Sequence, residues 1–145
     1  MNDDNIVYPA SCVASPDGHG VLISGPSGAG KSSLCLLLMD RGFKLVSDDQ
    51  TQLQIRHNRL EAIPAPNIAG LIEIRNLGIV ESPACATDIP IALYIRLDPD
   101  APRFIEQPYQ KTLLGHDVPS IAIWPDMATA PIKVEYALRL HGKRD

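Results

Sequence analysis

Residues 25–32 read Gly25-Pro26-Ser27-Gly28-Ala29-Gly30-Lys31-Ser32, which satisfies the phosphate-binding pattern G-x-x-x-x-G-K-[ST] at every fixed position. Outward from it, residues 21–24 (VLIS) form a short apolar run of strand type. Residues 33–41 (SLCLLLMDR) read as a helix closed by Gly42, the residue type expected just past a helix end. The chemistry needs this spacing. Gly28 and Gly30 let the backbone turn tightly, so that successive N–H groups line an anion-sized hollow. The following helix adds its positive dipole end. Lys31 then reaches the terminal phosphates and the Ser32 hydroxyl holds Mg²⁺. A glycine-rich turn can also join a strand to a helix by chance. Here strand, loop and helix all stand in the required order, which favours a nucleotide site at residues 25–33, from Gly25 through Ser33.

Bulk properties narrow the class. A chain of 145 residues, 45% of them apolar, is expected to form one domain over residues 1–145 with a core of its own. Thirteen basic residues against 17 acidic give a net charge of −4, which offers no general attraction for nucleic acid or an anionic membrane. The opening residues Met1-Asn2-Asp3-Asp4-Asn5 lack the basic and apolar regions of a signal peptide. The longest apolar run, residues 34–39, is too short to span a bilayer. Cys12, Cys35 and Cys85 carry no metal or redox spacing and are expected to be small core residues in a reducing compartment. The expectation is a cytoplasmic protein.

Thirteen prolines, scattered singly along the chain and including Pro64, Pro83 and Pro125, imply short elements joined by many turns. Residues 6–14 read as one strand, edge-lying or bulged at Pro9. Ser15-Pro16-Asp17-Gly18 turns it into a hairpin with residues 21–24. Residues 44–47 form a strand ending in Asp48-Asp49, and residues 52–56 and 59–63 a hairpin about His57-Asn58. Residues 71–75 and 79–80 are short strands around Gly78, and 91–97 (IALYIRL) a buried one. Residues 98–113 read as a loop and 120–124 as the last strand. Residues 127–141 form a closing helix with Ala130, Val134, Ala137, Leu138 and His141 on one face, Pro131 being tolerable only in its first turn. The fold class is α/β of an α+β-like kind, with mixed sheets around the phosphate loop and its helix.

Ser47-Asp48-Asp49 is the second constellation. A strand that returns beside the loop strand in a parallel sheet directs its C-terminal end at bound phosphates. Two carboxylates there suit Mg²⁺ ligation by one and proton abstraction from a hydroxyl by the other. Spacing does not say which does which, and paired turn carboxylates are also common.

Three segments together carry a resemblance. Residues 20–32, residues 41–49 (RGFKLVSDD) and residues 72–79 (IEIRNLGI) are similar to the HPr kinase/phosphorylase catalytic domain, whose signature reads roughly Leu-Glu-Ile-Arg-Gly-Leu-Gly-Ile. The chain is most similar to short forms without the N-terminal domain of the longer enzymes. The resemblance covers residues 10–80 well and 103–118 more loosely. It implies an HPr kinase-like P-loop fold and transfer of phosphate from ATP to a serine of the phosphocarrier HPr or a relative. It also implies a homo-oligomer. By position, Lys31 and the loop amides hold the phosphates, Ser32 and Asp48 hold the metal with support from Glu73, and Asp49 is the base. Arg75 and Arg103 stabilise charge on the transferring group. Without the resemblance, Glu73 and Arg75 read equally well as an exposed pair on one strand face.

The chain also departs from the pattern. The family's first-strand histidine falls on Pro9 or Ala10, and His19 nearby reads as a solvated turn residue. This argues against the reverse, phosphate-dependent reaction. Asn76 replaces a glycine, and Asn tolerates positive φ better than most residues. The expected activity is an ATP- and Mg²⁺-dependent serine protein kinase for an HPr-type carrier. The alternatives are a small-molecule kinase and a degenerate ATP-binding sensor that binds the carrier without phosphorylating it. Phe104, Ile105 and Tyr109 beside Arg103 and Lys111 suit either a modest protein interface or an ordinary loop.

Overall fold

The computed structural model describes residues 5–82 and 85–144. The opening residues 1–4 and the turn expected at Pro83 lie outside them. In chain order the elements are β1 (Asn5–Tyr8), β2 (Ser11–Ala14), β3 (Gly20–Ser24), α1 (Lys31–Asp40), β4 (Lys44–Ser47), β5 (Thr51–Arg56) and β6 (Arg59–Pro64). They continue with β7 (Leu71–Ile74), β8 (Gly78–Glu81), β9 (Ile89–Leu97), β10 (Tyr109–Leu113), β11 (His116–Ile123) and α2 (Ala130–His141).

Nine strands form one mixed sheet with the path β1-β5-β6-β9-β3-β2-β4, and β11 joins β10 to β9. The loop strand β3 is central, parallel to β9 and antiparallel to β2. Every residue of β3 is buried, which is why its sequence is apolar without interruption. Its side chains still alternate. Val21 and Ile23 join a core with Leu34, Cys35 and Leu38 of α1 and Val134 and Leu138 of α2. Leu22 joins a second core with Cys12, Val46, Leu53, Leu60 and Tyr94. Period-two geometry thus divides one strand between two cores.

The turn residues settle several joints. His57 and Asn58 both have positive φ (55° and 59°), the type I′ geometry that suits a two-residue hairpin between β5 and β6. The Gly42 N–H donates to the Met39 carbonyl and the Phe43 N–H to that of Leu38. This is a Schellman ending with Gly42 at φ 98°.

Five expectations need correction. The first strand is two, because Pro9 and Ala10 break it: β1 pairs with β5, and β2 with β3 and β4. β4 does not lie beside β3, since β2 stands between them. Because β2 is antiparallel to both, β3 and β4 still run in the same sense and Asp48-Asp49 still emerges at the phosphate-loop end. Residues 98–113 are not all loop: β10 occupies their last part and pairs with a β11 that starts four residues before the expected strand. The closing helix starts at Ala130 rather than Met127. Residues 126–129 form a turn in which the Asp126 carboxylate accepts from the Ala128 N–H and the Thr129 hydroxyl. Cys85 is exposed, its thiol donating to the Ser82 carbonyl, whereas Cys12 and Cys35 are buried as expected.

Two tests follow from this packing. Burial raises the thiol pKa of both Cys12 and Cys35, and neither is reachable by solvent. A disulfide reagent at neutral pH should therefore titrate one thiol in the native protein and three after denaturation. Leu38→Ala, which empties a fully buried site between α1 and the sheet, should lower unfolding free energy in urea by about 2–5 kcal/mol.

Candidate active site

The phosphate loop leaves β3 and closes into α1 at Gly30, whose φ of 104° only glycine adopts readily. The neighbouring segment makes the same demand. A β-carbon at Gly30 would stand 2.9 Å from the Met127 methyl group, so the turn before α2 packs directly on the loop. Gly28, at φ 84°, supplies the other sharp turn. Lys31 folds back across the loop, its ammonium donating to the Gly25 carbonyl at 2.8 Å and the Pro26 carbonyl at 3.2 Å.

A polar cleft of about 270 Å³ opens over this loop, lined by Ser27, Gly28, Gly30, Lys31, Ser32, Ser33, Asp49, Glu73 and Arg75. Three segments distant in sequence therefore meet around one hollow. Gly25 and Pro26 contribute carbonyls from behind it rather than lining it. The Ala29 N–H closes the loop onto the Pro26 carbonyl at 3.0 Å.

Asp48 is the hub. Its carboxylate is buried and accepts three hydrogen bonds. The Ser32 hydroxyl donates to Oδ1 at 2.7 Å and the Ser11 hydroxyl at 3.2 Å, while the Glu73 backbone N–H donates to Oδ2 at 3.1 Å. Asp49 points the other way, exposed, with its backbone at φ 67° and its N–H donating to the Ser11 hydroxyl at 2.9 Å. The adjacent pair is thus divided between a carboxylate fixed against the phosphate loop and one free to meet a ligand. Cys35 lies close behind. Its burial, and then the negative charge of Asp48, raise its pKa, while a hydrogen bond with Ser11 opposes them.

The donor set suits magnesium. A hydroxyl and a carboxylate oxygen 2.7 Å apart offer the one or two protein oxygens that Mg²⁺ takes beside phosphate and water. Ser32, Asp49 and Glu73 line both the cleft and an adjoining hollow, whereas Asp48 lines the hollow rather than the cleft itself. No cluster of three His, Cys, Asp or Glu side chains able to hold a metal occurs among the described residues. Glu73 touches Asp48 through its backbone.

Glu73 lies on β7 and Arg75 just beyond it, both exposed. Asn76 has the positive φ, 75°, expected of a residue standing in for glycine. Arg103 is placed elsewhere. It lines a separate groove of about 450 Å³ with Phe104, Trp124, Ile132, Tyr136 and Leu140, and it is absent from the lining of the phosphate cleft. Sequence reasoning missed Ser11 and Met127. Neither belongs to a motif, and only the pairing of β2 with β4 and the packing of the turn before α2 bring them in.

Residues 11–123 match the model of the HPr serine kinase C-terminal domain. The chain belongs to that family. The HPr kinase/phosphorylase of Shouchella clausii (strain KSM-K16) is 47% identical over 64 residues, which are 43% of this chain but only 21% of that protein. The solved structure of the Hpr(Ser) kinase/phosphatase from Coxiella burnetii superposes with a TM-score of 0.82 at 30% identity, covering 94% of this chain and 90% of that one. The mixed sheet, the phosphate-loop helix and the closing helix are therefore the family's fold, and the chain is of a kinase-type enzyme family.

Lys31→Ala should weaken ATP binding at least about tenfold in a calorimetric titration. Its unfolding midpoint should barely move, because the side chain is only partly buried and its ammonium donates to two loop carbonyls.

Proposed function

We propose that the protein is an ATP- and Mg²⁺-dependent serine kinase acting on an HPr-type phosphocarrier. The observation that carries this reading is the position of Asp49. It lines the polar phosphate cleft and also a second hollow of about 470 Å³, which includes Ile68, Leu71, Ile72 and Ile79. A base must stand on such a boundary if ATP enters from one side and an acceptor from the other.

In this reading the loop N–H groups, the α1 N-terminus and Lys31 bind and orient the phosphates. Ser32 and Asp48 hold Mg²⁺, which when bound neutralises charge on the terminal phosphates. Asp49 takes the proton of the acceptor hydroxyl as its oxygen bonds to the γ-phosphorus and the bond to the ADP oxygen breaks. Arg75, on the cleft wall, meets the charge on the equatorial oxygens. We assign Arg103 no part in that step. It stands beside exposed Phe104 (81% accessible), which places it better for contact with a protein.

A sensor that binds ATP and the carrier without transfer is the second reading. Exposed Pro9 and buried Ala10, which cannot take a proton, stand where the family resemblance places a histidine, and they favour this reading and argue against phosphorylase activity. The proposed setting is cytoplasmic, and no helix among the described residues is long and apolar enough to cross a membrane. A homo-oligomer is proposed on the family resemblance.

Incubation with labelled ATP, Mg²⁺ and a purified HPr-type carrier tests the proposal, with serine phosphorylation expected. Binding of both without label transfer would leave the sensor, and efficient labelling of a free metabolite would make it a small-molecule kinase. Asp49→Asn should retain Mg-ATP binding yet lose turnover by about 10²-fold or more. Asp48→Asn should instead raise the magnesium concentration needed for half-maximal activity. If the two variants behaved the other way round, the roles assigned to the pair would be reversed.

A further inference from the structure

Ser11 opens β2 and is completely buried. Its hydroxyl donates to Asp48 Oδ1 at 3.2 Å and accepts from the Asp49 backbone N–H at 2.9 Å, with the buried Cys35 thiol as a further partner. One oxygen thereby joins the side chain of the first aspartate to the main chain of the second. Both aspartates need such a tie. Oδ1 of Asp48 is also held by Ser32, so turning the carboxylate would break a bond to α1 or a bond to β2. Asp49 sits at φ 67°, a left-handed conformation that residues other than glycine hold mainly where their surroundings support it. The bond from its N–H to Ser11 is a direct restraint on that peptide.

We propose that Ser11 is a positioning residue, whose hydroxyl sets the orientation of Asp49 relative to Asp48. The inference rests on the kinase reading for what the two carboxylates do, and on the hydrogen bonds alone for how they are held. Without the hydroxyl, Asp48 keeps Ser32 and Glu73, but Asp49 loses its hydrogen bond to β2. The metal-side carboxylate and the boundary carboxylate then orient independently. Outer-shell partners of this kind are worth about 10–100-fold in metal affinity or activity.

The test uses Ser11→Ala, and Ser11→Cys, which nearly keeps the volume but is a weak donor and acceptor. In the ligand-free protein, amide exchange at Asp49 should quicken by up to about tenfold while β3 and α1 stay protected. Calorimetric ATP titration should show unchanged affinity without Mg²⁺, and a gain on adding Mg²⁺ that is reduced about tenfold. The carrier phosphorylation rate should fall, with the KM for Mg-ATP raised in step with the lost magnesium gain. A folded variant with normal Asp49 exchange and a normal magnesium gain overturns the proposal. So does a lowered thermal midpoint as the sole effect, and so does failure of both variants to fold, which would make Ser11 a core residue. Absence of carrier phosphorylation by the unaltered protein would defeat the kinase reading instead, while the exchange and magnesium measurements would still decide the role of Ser11.

Discussion

The site depends on one buried carboxylate. Asp48 follows β4 inside the protein, where an ionised group costs several kcal/mol unless its oxygens are satisfied. Its three donors come from three other places: the first turn of α1, the start of β2 and the backbone of β7. Satisfying one charge therefore brings the phosphate loop, the central sheet and the small β7–β8 hairpin to a common point. The cleft with its lysine, arginine and second aspartate forms around that point.

A second buried acid makes the contrast clear. Glu61 on β6 is completely buried and ion-paired at 3.0 Å with both Arg56 and Arg59 of its own hairpin. Its charge is neutralised locally, and its consequence is structural: it ties the two strands of a hairpin together beside their turn. Asp48 has no ion-pair partner among the described residues, only neutral donors. Hydrogen bonds from hydroxyls and an amide stabilise a carboxylate without cancelling its charge. Beside the phosphate loop, such an uncancelled charge is a feature that attracts a cation.

Much of the fold was legible in the chain. The glycine and lysine positions of the loop, the Gly42 ending of α1, the His57-Asn58 turn and the positive φ of Asn76 all follow from local backbone chemistry, and all are present. Readings failed where the deciding force was distant. Pro9 shows that the first strand is interrupted, but the new partner of each half depends on β5 and β4. The exposed alternation of Tyr109–Leu113 resembles a polar loop until β11 pairs with it. Cys85 has the same thiol as Cys12 and Cys35, and only its place beside Ser82 separates it from the core.

What the sequence by itself determined was the local machinery: an anion-binding turn at the head of a helix, a pair of carboxylates after the next strand, and a Glu73–Arg75 pair with a resemblance to one enzyme family. Those features rest on φ preferences, hydrogen-bond inventories and strand periodicity, which act over a few residues. Tertiary structure decided how the carboxylates divide their surroundings. The interposition of β2 between β3 and β4 brings Ser11 between Asp48 and Asp49, burying the first and turning the second outward. It was tertiary structure, too, that set Arg103 on another face. Neither outcome is encoded near the residues concerned, because strand order in a sheet follows from which distant apolar faces bury one another.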